Sequence, residues 1–171
     1  MNNLIVRNTL RFLLLMLLQV LVLNQVYLGG FINPFLYVLF ILMLPTNTNR
    51  MLLLLLAFLS GFCVDIFSNI LGFHTMAATT VAFCRILFAD RILTRGEQIV
   101  IETPSIQSTS FQQIAFYFFV LFFIYNFLYF LLEIFSFRDF WDILLSTTLS
   151  TLVVWILALL YQTIFLREKK Q

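Results

Sequence analysis

A carboxylate inside an apolar run is the side chain of this sequence with the most chemistry to offer. Asp65 lies about fourteen residues into the run 51–71, or about 21 Å along a helix rising 1.5 Å per residue. An ionisable group at such depth costs about 2.5–3.5 kcal/mol on insertion scales unless it faces protein or water. Ala57, Gly61, Asp65 and Ser68 follow at spacings of four, four and three, so they share one helix face. Small residues at four-residue spacing let helices approach closely. The face reads as a helix–helix seam holding a carboxyl that hydrogen-bonds a neighbouring helix. A ligand, ion or proton site and a contact with a partner's membrane helix are the alternatives.

Arg85 sits in the next apolar run, one turn from its end, where a long side chain can snorkel to the interface. Pairing with Asp65 would require the two depths to match. Gln19 is expected to point inward from the first run, with Asn24 and Gln25 near its outer end. His74, Glu133, Asp139 and Asp142 could bind a metal or do acid–base work, but they scatter over two links without ligand spacing. They read as solvated loop groups. Cys63 and Cys84 lie inside apolar runs and read as packing residues, not a disulfide. No metal or cofactor is expected. Thr147, Ser150 and Thr151 share a face and should hydrogen-bond across helices. Dense aromatics over 116–130 cover every face, which suits lipid contact and packing. Tyr129, Phe137 and Trp141 fit an interfacial aromatic belt.

The elements that position these groups follow from composition. The chain has 171 residues, 62% apolar and 11% charged. Soluble domains are about half apolar and a quarter charged, so too few charges exist to coat a water-facing surface. A disordered chain, a nucleic-acid binder and an ordinary cytosolic enzyme are excluded. At roughly 20 residues per crossing, the apolar content allows about six helices in one membrane domain. The expected spans are 12–28, 31–44, 51–71, 75–89, 111–132 and 143–166. Arg7 and Arg11 before the first run imitate a secretory signal, but no small-residue cleavage site follows, so the run is a retained span. Gly29-Gly30 breaks it. The second span is short, with Asn33-Pro34 near its start and Pro45 at its end; a re-entrant segment is the alternative. The fourth, with Ala77, Ala78, Thr79, Thr80 and Ala82, should pack on the Gly61 face. The stretch 90–110 is the long polar loop. It reads as a connector, with a short strand or amphipathic piece near 98–101 and enough surface to dock a soluble partner.

Six spans put both termini on one side, and the positive-inside rule tests this. Arg7, Arg11, Arg50, Arg91, Arg95, Arg167, Lys169 and Lys170 fall on that side, with Arg85 close by, against Arg138 on the other. Both termini are expected to be cytoplasmic. A re-entrant second span would flip the parity and destroy the asymmetry.

Several features stand in order: Asn33-Pro34 and Pro45 around a short second span, Gly61-Phe-Cys-Val-Asp65, Leu71-Gly72, and a small-residue fourth span. The order resembles the rod shape-determining protein MreD family. There, a proline-bearing second span is followed by a glycine, an aspartate four residues on, and a Leu-Gly pair soon after. Pro34, Pro45, Gly61, Asp65 and Gly72 are the motif positions carried over; beyond Arg85 the match is in span number and placement. The resemblance implies a non-enzymatic inner-membrane subunit of the bacterial cell-elongation complex. It would sit beside MreC, linked to the MreB filament and to the RodA/penicillin-binding protein 2 peptidoglycan synthase. It also implies an all-α fold of six transmembrane helices resembling the substrate-binding subunit of energy-coupling-factor vitamin transporters. A transporter subunit of that kind is the alternative function, and it would need a polar pocket opening outward, with Asp65, Gln19 and the His74 link as lining. A membrane enzyme would need two convergent polar groups at one depth, and Asp65 alone is well placed.

Overall fold

The computed structural model describes residues 2–25, 32–70, 72–93, 104, 110–134 and 140–165. Expectations at Gly29-Gly30, Leu71, the stretch around 98–101, Arg95, Phe137, Arg138, Asp139 and the C-terminal cations lie outside them. So do those on the side chains of Arg7, Gln25 and Arg91.

Among the described residues the chain is helical, without strands. The helices are α1 (Asn2–Leu21), α2 (Val38–Leu42), α3 (Arg50–Ser68), α4 (Phe73–Leu93), α5 (Phe111–Ile134) and α6 (Phe140–Phe165). Three of them, Arg50–Ser68, Phe111–Ile134 and Phe140–Ile164, are long and apolar enough to cross a membrane. These mark the chain as a membrane protein. The surface agrees. Leu52, Leu55, Phe58, Leu59, Phe62, Ile66 and Phe67 of α3 all face outward, a contiguous apolar face that water would penalise and lipid accepts.

Boundaries of α5 and α6 fall within three residues of the expected spans. The first helix differs: it starts at Asn2 and stops at Leu21, not at 28. A 3₁₀ turn over Leu23–Gln25 follows, because Asn24 is drawn off the helix to donate through Nδ2 to Ser68 Oγ at 2.9 Å. Arg11, expected as an interface marker, is buried.

The second segment departs furthest from expectation. A helix over 31–44 is expected; the structure has five helical residues, Val38–Leu42. Pro34 forces the preceding Asn33 out of the helical region, so the chain enters extended. Pro45 lacks the N–H that a further turn would need. Every residue from Phe35 to Pro45 is buried. This segment therefore runs through the centre of the molecule, with α1, α3, α4 and α5 packed around α2. Non-helical backbone at membrane depth is tolerated only when protein satisfies its polar groups, and the site below is built from those satisfying groups.

The helix pairs α3–α4, α4–α5 and α5–α6 pack most extensively. Ala77, Ala78, Val81 and Ala82 are all fully buried, as expected of a small-residue fourth span. The aromatic α5 is the most enclosed of the three long helices, not a lipid-facing post: Tyr117, Phe118, Phe122 and Tyr125 are fully buried. Cys63 and Cys84 are free thiols packed at the edge of the core.

Candidate functional site

Asp65 is not at mid-helix. Its helix ends at Ser68, so the carboxylate stands in the last turn, beside the start of α4. Oδ1 accepts from the backbone N–H of His74 at 3.0 Å. Oδ2 accepts from the N–H of Thr75 at 2.8 Å and from the Thr75 hydroxyl. The first N–H groups of a helix have no partner within it, and an anion beside them also meets the positive end of the helix dipole. Asp65 is thus a capping residue supplied by the preceding helix. The expectation of a seam carboxyl bonded to a neighbouring helix holds; pairing with Arg85 does not occur.

The turn that delivers α4 to this carboxylate is made locally. Asn69 takes the left-handed conformation at φ 56° and closes α3. The Ile70 N–H returns to Asp65 O at 3.0 Å, the 6→1 pattern of a helix C-terminal cap. Gly72 follows at φ 82°, where L side chains are strained. Gly61, one turn before Asp65, sets the approach distance. A Cβ there would lie 2.6 Å from Thr75 Cα and 2.7 Å from His74 O. Gly61, Asp65 and Gly72 thus build one joint: close approach, cap and turn.

A hydrogen-bonded chain runs from this joint into the core. His74, expected as a solvated loop group, is 1% exposed. It stacks on Tyr129 at 4.5 Å and takes the edge of Phe35 at 4.8 Å. Its Nδ1 lies 2.7 Å from the Tyr125 hydroxyl, which lies 2.7 Å from the Tyr37 hydroxyl. One Tyr125 proton serves two neighbours, so the direction of the chain follows the histidine tautomer. Tyr129, expected at the interface, is instead buried against His74, with its hydroxyl 3.4 Å from Glu133 Oε1.

Gln19 points inward as expected and holds the break before α2. Its amide nitrogen donates to Pro34 O at 3.3 Å and to Asn24 Oδ1 at 2.9 Å. Its amide oxygen accepts from the Tyr37 N–H at 3.4 Å. On the other flank Ser150 Oγ accepts the Asn33 N–H at 3.0 Å, and Thr151 Oγ1 accepts from Asn126 Nδ2 at 3.1 Å. Thr147 Oγ1 is buried with no partner among the described residues.

Arg85 does not snorkel. It is 2% exposed and reaches the far end of α2, where Nη2 donates to the Leu44 carbonyl and, at 3.5 Å, to that of Pro45. Its Nε donates to the Tyr117 hydroxyl at 3.1 Å, and that hydroxyl donates to Leu42 O at 3.3 Å. A cation beside the last carbonyls of a helix meets its negative end. Here it also satisfies acceptors that Pro45 leaves without a continuing helix.

Beside the joint lies a cavity of about 250 Å³, walled by Gln19, Asn24, Asn33, Ser68, His74 and Glu133 among others. Asp65 is not in its wall; both of its oxygens are committed to α4. At about 30 Å³ per water the space holds roughly eight waters, and it falls below the roughly 300–1,000 Å³ of common small-molecule sites. Among the described residues no three His, Cys, Asp or Glu side chains come together.

Sequence reasoning names Gly61, Asp65, Gly72, Pro34, Pro45 and Gln19, which stand at the joint and around α2, with Asp65 in the last turn of its helix and not deep within a span. It missed the hydroxyls of Tyr37, Tyr117 and Tyr125 and the amide of Asn126. The available signal was substitution: tyrosine and asparagine stand where leucine or phenylalanine would fill the same apolar helix. No family model, curated protein or solved structure matches this chain.

Proposed function

We propose that the chain is a non-enzymatic, six-span subunit of the bacterial cell-elongation machinery, of the MreD type. It sits in the inner membrane with both termini cytoplasmic and binds MreC, helping couple the MreB cytoskeleton to the RodA/penicillin-binding protein 2 synthase. The observation that carries the reading is the joint: the glycine, aspartate and glycine of the motif form one unit at the α3–α4 turn. Pro34 and Pro45 bound the buried α2 segment held by Gln19 and Arg85. The distribution of cations along the sequence supports the orientation. Each motif position thus has a backbone task, as a scaffold requires. The outward apolar face of α3 suits the single membrane helix of an MreC-type partner.

The cavity of about 250 Å³ favours a second reading, the substrate-binding subunit of a small-molecule transporter with the energy-coupling-factor type of fold. Its size makes this the lesser reading for a vitamin-sized ligand. Two measurements separate them. Depletion in a rod-shaped host rounds the cells, and the tagged protein co-purifies with an MreC-type partner, if it is the scaffold. Unchanged shape, with tight binding of a vitamin by the purified protein, would reject the scaffold in favour of the transporter. An adjacent reading frame encoding one membrane span, a coiled coil and a β-rich outer domain would support the first.

A further inference from the structure

A second cavity, of about 180 Å³, lies at the other end of α4 from the joint. It is walled by the α2–α3 turn with Thr46, Asn47 and Thr48, by Arg50 at the first position of α3, and by Arg85. Three observations give it one sign of charge. First, Arg85 is a buried guanidinium with an incomplete partner set. Among the described residues its contacts are a tyrosine hydroxyl and two carbonyls, its Nη1 has no hydrogen-bond partner, and no carboxylate pairs with it. A cation removed from water and left with neutral partners is stabilised by an anion beside it. Second, Arg50 is exposed at the rim and adds a second cation. Third, the first turn of α3, the positive end of its dipole, stands in the wall through Arg50 and Leu53. The turn adds the exposed Asn47 amide, a secondary donor to an oxyanion, while the Thr48 hydroxyl is already given to the Pro45 carbonyl.

We propose that this cavity binds a phosphate-bearing anion, held between the Arg85 and Arg50 guanidiniums and the turn 46–48. Guanidinium groups match the oxygens of a phosphate in bidentate geometry. Two sources share this chemistry: the phosphodiester headgroup of an anionic phospholipid, and free inorganic phosphate. Basic pockets between membrane helices take lipid headgroups in this way. A lipid can seat its headgroup here while its chains lie along the apolar outer face of α3, which begins at the same level with Met51, Leu52 and Leu55.

The test uses the full-length protein purified in a zwitterionic detergent. One arm adds phosphatidylglycerol or phosphatidylcholine and counts retained lipid by native mass spectrometry. The other adds sodium phosphate or sodium chloride at matched ionic strength and follows thermal unfolding. Selective retention of phosphatidylglycerol assigns the site to a lipid headgroup. A rise in melting temperature with phosphate alone assigns it to the free anion. In either case Arg50→Gln, at an exposed position outside the core, weakens binding about fivefold, the worth of one surface cation near an anionic lipid. Its melting temperature without added anion stays at the wild-type value. Arg85→Lys keeps the charge but loses the fork, and weakens binding further. Equal retention of both lipids together with no specific phosphate effect would overturn the proposal. So would an Arg50→Gln protein that binds the anion as tightly as wild type.

Discussion

Gly61→Ala sets two requirements of the α3–α4 joint against each other. The new methyl would stand 2.6 Å from Thr75 Cα, 2.7 Å from His74 O and 2.8 Å from His74 C. All three atoms are backbone, so no rotamer change relieves them. Carbon atoms rest at about 3.5–4.0 Å, so the start of α4 must retreat by about 1 Å. The bond from Thr75 N to Asp65 Oδ2, now 2.8 Å, would then lengthen to about 3.8 Å, beyond hydrogen-bonding range. The protein must either keep the overlap, at about 1–3 kcal/mol for overpacking, or release the cap, at about 0.5–2 kcal/mol. Because relaxation can follow the cheaper route, a destabilisation of about 1–2 kcal/mol is expected. Reversible unfolding of the purified protein in mixed detergent–SDS micelles measures it. Asp65→Asn keeps the shape but loses the charge, and should cost about 1–2 kcal/mol. The double variant should cost less than the sum, because Gly61→Ala has already loosened the bonds that Asp65→Asn weakens. A Gly61→Ala protein as stable as wild type, or strict additivity in the cycle, would refute the joint as described.

Further outcomes follow from the same geometry. Gln19→Leu leaves the Pro34 carbonyl and the Tyr37 N–H unpaired inside the core, and should cost about 2–4 kcal/mol in the same unfolding assay. Gln19→Glu keeps the acceptor for Tyr37 but turns a buried carboxyl oxygen on the Pro34 and Asn24 acceptors, and should cost at least as much. Tyr125→Phe breaks the link between His74 and Tyr37 and should cost about 1–3 kcal/mol. Tyr129→Phe, whose hydroxyl meets an exposed Glu133 at 3.4 Å, should cost under about 1 kcal/mol by the same reasoning. Single cysteines at Leu55, Phe62 and Ile66, placed in a Cys63→Ala/Cys84→Ala background and spin-labelled, should show the oxygen accessibility of lipid-facing sites. Labels at Leu53 and Val64 should not, because those side chains are buried.

Read alone, the sequence settled what depends on hydropathy and length. The spans of α5 and α6 and the free thiols follow from which residue types lie together and for how long. Spacing carried the Gly61–Asp65 face as well, because four residues on a helix return to one side. Depth was another matter. The apolar run sets Asp65 well inside a span to 71, yet Asn69 ends the helix, and the carboxylate caps the next element. Polarity alone assigns His74 to water and Arg85 to the interface. Burial against Tyr129 for one, and against the orphan carbonyls of Leu44 and Pro45 for the other, needed α5 and α2 in place. In a membrane the usual periodicity is muted, because lipid and core are both apolar. An aromatic helix such as α5 therefore does not announce which face is inside. Proline could announce that the second helix is interrupted. Only the packed structure could decide that the interrupted segment lies at the centre, because backbone freed there needs Gln19, Ser150 and Arg85 from three other helices to satisfy it.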